Sequence, residues 1–248
     1  GIAGSEGMGF TAGMTQWLVE TQVMNAGFVM PMMGGSIGLS LVSVNYGDIM
    51  RSGWAGTSEF VFEPNQGSFT ASDMAMQFSY GKNLSDKFSL GGTAKMLSQS
   101  IDDVTLSGMA FDIGTQFNTG YRGIRMGAVI SNFGADIESE AGEDISYEEY
   151  PAMSLPMTFS FGVVGEAIPG LNAGLNVLKQ ADMGQEFIVN AEYNISLASL
   201  RFSYNLNNPQ QDMSVGAGVN LGGISANLAM TMTQHFDNVM RLGIGYSF

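Results

Sequence analysis

Cysteine is absent from this 248-residue chain, and histidine occurs once, at His235. A disulfide framework, a thiolate zinc site, a cysteine nucleophile and a multi-histidine metal centre are thereby excluded. Charge is scarce as well. Asp, Glu, Lys and Arg make up only 13% of the chain, against roughly 25% in an ordinary soluble domain. The basic side is the poorer, with 9 Lys and Arg against 23 Asp and Glu and a net charge of −14. That balance excludes a nucleic-acid binder, which needs a basic face for phosphate. Proline is limited to 6 residues, whereas glycine reaches 34 and hydrophobic residues 45%, too apolar a composition for disorder. Also missing are a Gly-rich phosphate loop ending in Lys-Ser/Thr, a nucleophile elbow and a triad around His235, which reads as a solvated loop residue. A chain that is not an enzyme and holds no cofactor or metal is the expectation.

What is present is alternation. Segments 21–47 and 213–236 carry no Asp, Glu, Lys or Arg and are long enough for a spanning helix of roughly 20 residues. Each is broken by a glycine pair, Gly34-Gly35 or Gly222-Gly223, and around those pairs the period is two. Ile224, Ala226, Leu228 and Met230 share one face, while Ser225, Asn227, Ala229 and Thr231 share the other. Such runs are strands and the glycine pairs are hairpin turns. Fourteen runs follow this rule, at about 6–15, 19–32, 36–47, 71–82, 87–99, 104–119, 122–134, 155–168, 170–181, 185–196, 199–207, 212–221, 224–234 and 239–248. Short connections alternate with longer ones, of which 48–70 and 135–154 are the longest.

This pattern predicts an all-β fold, an antiparallel up-and-down transmembrane β-barrel of about fourteen strands, as one domain over 1–248 in the bacterial outer membrane. A soluble β-sandwich or lipocalin-like barrel alternates too, but its outer face is charged. Here the polar face is Gly, Ser, Thr and Asn, a poor solvent surface and a reasonable lumen. The apolar face is free of mid-strand charge, as lipid demands, since a charge there costs roughly 2–4 kcal/mol at the midplane. Most methionines lie on that face.

Four groups of residues are candidates for function. Leu242, Ile244, Tyr246 and Phe248 form an alternate apolar set like the C-terminal signal read by the outer-membrane assembly machinery, which places the short turns in the periplasm and the long loops outside. Asp136, Glu138, Glu140, Glu143, Asp144, Glu148 and Glu149 crowd the loop 135–154, and no Lys or Arg occurs between Arg125 and Lys179. That loop is a solvated segment, a divalent-cation bridge to surface lipids or a docking site for a partner. Trp54, Phe60, Phe62 and Phe69 make loop 48–70 a second contact surface. Glu192, Arg201 and Arg241 fall on the polar face as candidate lumen charges, able to pair across strands.

Several stretches resemble the PorV/PorQ family of outer-membrane proteins, relatives of the FadL fatty-acid transporters. They are Thr15-Gln16-Trp17-Leu18, Phe28-Val29-Met30-Pro31, Gly38-Leu39-Ser40-Leu41 with Tyr46-Gly47-Asp48, Phe111-Asp112-Ile113-Gly114, and Arg125 through Gly134. The resemblance implies a fourteen-stranded barrel, an N-terminal hatch in the lumen, and a part in type IX secretion. Family members carry a signal peptide and a plug with an Asn-Pro-Ala-Gly motif, and neither is found in the numbered chain. Two functions follow as expectations. One is a type IX adaptor that binds translocon, cargo signal domain or attachment-complex proteins through loops 48–70 and 135–154. The other is a FadL-like channel for hydrophobic small molecules, with Val129, Val164, Leu178 and Ile188 offering apolar lumen surface.

Overall fold

The computed structural model describes residues 2–5, 7–54, 62–139, 153–208 and 213–248, except for the side chains of 52–54, 62–66 and 138–139. A 3-10 turn, Ile2–Gly4, precedes the strands β1 (Gly9–Gln16), β2 (Gln22–Met32), β3 (Gly35–Trp54), β4 (Phe62–Asn83), β5 (Phe88–Ile101), β6 (Val104–Asn118) and β7 (Arg125–Phe133). They continue as β8 (Glu138–Ser139), β9 (Thr158–Ile168), β10 (Leu171–Gln180), β11 (Gln185–Ile195), β12 (Ala198–Asn205), β13 (Met213–Leu221), β14 (Ile224–Thr231) and β15 (Val239–Ser247).

Each strand pairs antiparallel with the next, β7 passes directly to β9, and β1 pairs with β15 from Gly9↔Ser247 to Gln16↔Met240. The two-residue β8 only flanks β6. The result is a closed wall of fourteen strands, one for each run of alternation in the sequence. Closure matters because a bilayer offers no water to an unpaired strand edge.

The wall explains why so little of the molecule is buried. Ala71, Ala110, Ile137 and Val239 are the buried apolar residues among those described, while Leu39, Met96, Leu200 and Ile244 stand outward at 56%, 64%, 53% and 60% exposure. In water such a surface would aggregate; in lipid it is the solvated face. The residues between them, such as Ser40, Lys95, Arg201 and Gly243, point into the lumen. Glycines suit this inner face where strands and side chains crowd it. A Cβ at Gly38 would meet Ile2 at 3.3 Å, and one at Gly81 would meet the Ala3 backbone nitrogen at 3.1 Å. The Ile2–Gly4 turn therefore sits inside the barrel against β3, β4 and β5, with Ser36 donating its hydroxyl to the Ser5 carbonyl at 3.3 Å. A short segment of chain thus lies inside the lumen.

The expectation of a free loop over 48–70 needs correction. β3 runs to Trp54 and β4 begins at Phe62, and the two remain paired as far as Trp54↔Phe62, with register shifts at Asn45/Asp48 and Met50/Ser52. Beyond the rim both faces meet water, so the strands persist without the apolar alternation that reveals the others. Arg51 ties this hairpin to Asp102 in the β5–β6 turn by an ion pair, and its guanidinium lies 5.6 Å from the Phe69 ring centre.

Candidate functional site

The lumen is the concave surface of this molecule, and its two sides differ. In a ring of fourteen, strands seven places apart face each other, so β3 and β4 look across at β11 and β12. Toward the long-loop end, β2–β6 offer Val23, Val42, Val44, Ala75 and Leu97 interspersed with Asn25, Asp73 and Gln77, whose registers place them all on the inner face. The opposite wall, β10–β14, offers Asn176, Asn190, Ser203, Ser214 and Asn227, interrupted by Leu178 and Ile188. Val129 and Val164 also face inward, on β7 and β9, so all four apolar positions singled out from the sequence line the lumen.

Two ion pairs lie on the inner wall. Glu192 and Arg201 are direct partners on β11 and β12, and Arg201 Nε donates to Glu192 Oε2 at 2.7 Å. Arg201 Nη1 then crosses β13 to Asn227 Oδ1 at 2.7 Å. Gly218 makes that crossing fit, since a Cβ there would lie 2.6 Å from Asn227 Oδ1 and 3.2 Å from Arg201 Nη1. Arg241 stands apart. Nη1 donates to Thr231 Oγ1 at 2.6 Å, its guanidinium lies 5.7 Å from the Trp17 ring centre, and no described carboxylate pairs with it.

The second pair was not foreseen. Lys95 on β5 meets Asp112 Oδ1 on β6 at 2.8 Å and donates to Asn132 Oδ1 at 2.7 Å. Asn132 returns its backbone N–H to Asp112 Oδ1 at 2.9 Å and reaches the Pro156 carbonyl with Nδ2 at 3.4 Å. Asn132 has φ +57°, the left-handed region that asparagine tolerates better than most residues. The strand kinks there, because Phe111↔Phe133 and Ile113↔Ile130 do not share one register.

Past this kink the chain turns inward. The β6–β7 ladder ends at Phe111↔Phe133 and resumes only as Ser107↔Glu138 on β8. Between them, Ile137 folds against Gly108, 7% exposed itself, and its Cγ1 lies 3.0 Å from where a Gly108 Cβ would sit. Ile137 is held by backbone hydrogen bonds with Met153 of 2.9 and 3.0 Å. Loop 135–154 thus begins by entering the mouth of the barrel.

The remaining candidate residues are dispersed. Leu242, Ile244 and Tyr246 project outward from β15, and Phe248 packs its ring edge-on against Tyr246 at 4.7 Å. Asp136 is exposed, and so is His235. Glu138, Trp54 and Phe62 lie in strands whose side chains are outside the description, while Phe60, Glu140, Glu143, Asp144, Glu148 and Glu149 lie outside the described residues altogether. Among the described residues no three His, Asp or Glu side chains converge on a metal-sized site.

The short-turn half of the lumen is hollow. A cavity of about 1080 Å³ borders the Ile2–Gly4 turn, Asp86, Lys87, Asp112, Gln116 and Arg125, and another of about 380 Å³ lies on the other side of that turn beside β1 and β15.

No protein-family model and no curated protein matches the sequence. Solved structures do match. The Pseudomonas putida toluene transporter TodX superposes with a TM-score of 0.71 at 9% identity, covering 98% of this chain and 91% of that one. A second TodX structure gives 0.64 at 10% identity, with 98% and 89% covered. The TodX monoaromatic hydrocarbon channel deltaS2 mutant gives 0.62 at 9% identity, with 97% and 88% covered. At such identity the likeness is one of fold. A closed barrel with an apolar exterior and a small-residue, polar interior is the architecture of the bacterial outer membrane, and that is where this chain resides.

Proposed function

We propose that the chain is an outer-membrane channel for small, largely hydrophobic molecules and works without catalysis. The observation that carries this reading is the hollow lumen, with cavities of about 1080 and 380 Å³ flanking a short luminal turn instead of a packed core. A solute entering at the long-loop end would pass the Ile137 segment and the Val42, Ala75 and Leu97 surface, then the Lys95–Asp112 pair, then the cavities at the other end. Burial against the valine and leucine side chains stabilises an apolar solute by about 25 cal/mol per Å², while the small residues beyond leave it room to depart. The likeness in fold to TodX, a toluene transporter and monoaromatic hydrocarbon channel, supports the reading. The test is uptake of an aromatic solute into vesicles with a lipopolysaccharide outer leaflet. Uptake well above that of protein-free vesicles is expected, and equal rates would overturn the proposal.

The adaptor role in type IX secretion, proposed from the PorV/PorQ resemblance, draws on a different observation. The β3–β4 hairpin projects past the rim and is braced by Arg51, Asp102 and Phe69, as a contact surface would be. Most of loop 135–154 lies outside the described residues. Affinity purification from native membranes that recovers neither translocon nor cargo would remove this reading.

A further inference from the structure

The outer wall over β2–β5 is not evenly filled. One row of outward side chains crosses it through Phe28, Leu39 and Phe78, and the next through Leu41, Met76 and Met96. Ala94 continues the first row on β5 and Ala26 begins the second on β2. Both are too short to fill their places, and a groove of about 560 Å³ opens on the lipid face between the rows. That is the size of a ligand cleft. Ser40 and Gln77 also border it, but their side chains belong to the inner face. Met76 and Met96 are direct partners along its side, and methionine re-packs readily around an apolar guest.

What fits the groove is decided at its short-turn end. Lys82 stands four residues beyond Phe78 on the same outer face of β4, roughly 13 Å along the strand. Between them Tyr80 donates its hydroxyl to the Met33 carbonyl at 3.1 Å, an aromatic at the membrane interface. No described carboxylate lies within ion-pair distance of Lys82, and Asp86 and Lys87 of the following turn border the lumen cavity instead. Lys179, which also faces outward, lies at the long-loop end and donates to the Met183 carbonyl. A solitary ammonium below an apolar groove calls for an anion on a hydrocarbon tail. One leaflet of hydrocarbon is roughly 12–15 Å deep, so a phosphate at Lys82 carries its acyl chain across Phe78 and Met76. A second barrel lacks the matching charge, because its Asp73, Asp112, Glu166, Glu186 and Glu192 point into its own lumen.

We infer that the outer groove over β2–β5, with Lys82 at its short-turn end, is a binding site for one anionic phospholipid of the leaflet that meets the short turns. The site is independent of what passes through the lumen. With a net charge of −14 the protein as a whole repels such a lipid, so its retention would report this groove and this lysine.

The experiment offers lipid-stripped protein in detergent either phosphatidylglycerol or phosphatidylethanolamine with the same acyl chains, and native mass spectrometry counts the lipids held per barrel. The wild-type protein is expected to retain one phosphatidylglycerol in preference to phosphatidylethanolamine. K82Q should lose about fivefold in affinity for phosphatidylglycerol, the effect of one lysine at a lipid surface, and hold phosphatidylethanolamine as before. A94W, which fills the groove from the lipid side, should weaken both lipids. K179Q, at the other end of the barrel, should change neither. Heat-modifiable migration on gels checks that each variant is folded. Equal retention of the two lipids by the wild-type protein, or a folded K82Q or A94W that matches it, overturns the inference. A wild-type dimer that A94W separates would also overturn it, by assigning the groove to a second barrel.

Discussion

Lys95–Asp112 and Arg201–Glu192 are the same kind of contact, a cation and a carboxylate on adjacent strands at 2.8 and 2.7 Å. Their surroundings differ. The first pair is 12% and 19% exposed, the second 44% and 38%. The first shares a third partner, Asn132, whose amide continues to Pro156 in the inward-turning loop. The second is open to the lumen and adds Asn194 and Asn227 along the wall. Position thus divides the labour between equal bonds. A shielded pair holds covalently distant segments in place, and a solvated pair shapes the field that a passing solute meets.

Removing one partner of the shielded pair should have the largest effect. Lys95→Met leaves the Asp112 carboxylate without its cation. We expect a loss of roughly 2–3 kcal/mol, somewhat below the 3–5 of a fully buried pair, measured by urea unfolding in micelles. Asp112→Leu added to that variant should recover most of the loss, and failure to recover would show that the pair is not the source. Next, Gly108→Val drives a side chain into the space held by Ile137. It should cost about 1–2 kcal/mol and raise single-channel conductance as the segment leaves the mouth; an unaltered conductance would mean that Ile137 does not obstruct the passage.

Smaller effects belong to the solvated pair. Arg201→Gln should change stability by less than about 1 kcal/mol, yet move the reversal potential toward cation preference, because Glu192 then faces the lumen unpaired. The faintest signal is its salt dependence. Raising ionic strength from about 0.1 to 1 M shortens the screening length from about 10 to 3 Å. The shift caused by Arg201→Gln should then shrink toward zero, while the Lys95→Met deficit persists. Equal salt sensitivity in both would erase the distinction between them.

Much of this molecule is legible in its residues, for a reason particular to membrane barrels. Lipid on one side and small polar side chains on the other impose a strict two-residue period, so runs such as Leu200 to Asn205 or Met240 to Ser247 declare both strand and facing. The same rule fails where its cause is absent. Residues 48–54 and 62–70 stand beyond the rim, include Pro64 and Gly67, and need no apolar face, so they read as a loop although they pair. The rule also singled out Glu192, Arg201 and Arg241 but passed over Lys95 and Asp112, which occupy inner positions between Ala94 and Met96 and between Phe111 and Ile113. Parity alone places them in the lumen. What parity does not give is the kink at Asn132, which joins them and depends on a single residue's backbone.

The pairing of β1 with β15 has a consequence for how the barrel comes into being. Every other neighbouring pair joins segments close in sequence, whereas Gly9 and Ser247 are separated by almost the whole chain. Local hairpins form early because little entropy is lost in closing them, and contacts between remote segments form late. The β1–β15 seam is therefore the last ladder to zip. Until it does, two raw edges are open to another chain, so a folding helper or an intruding strand has a single, predictable place to act.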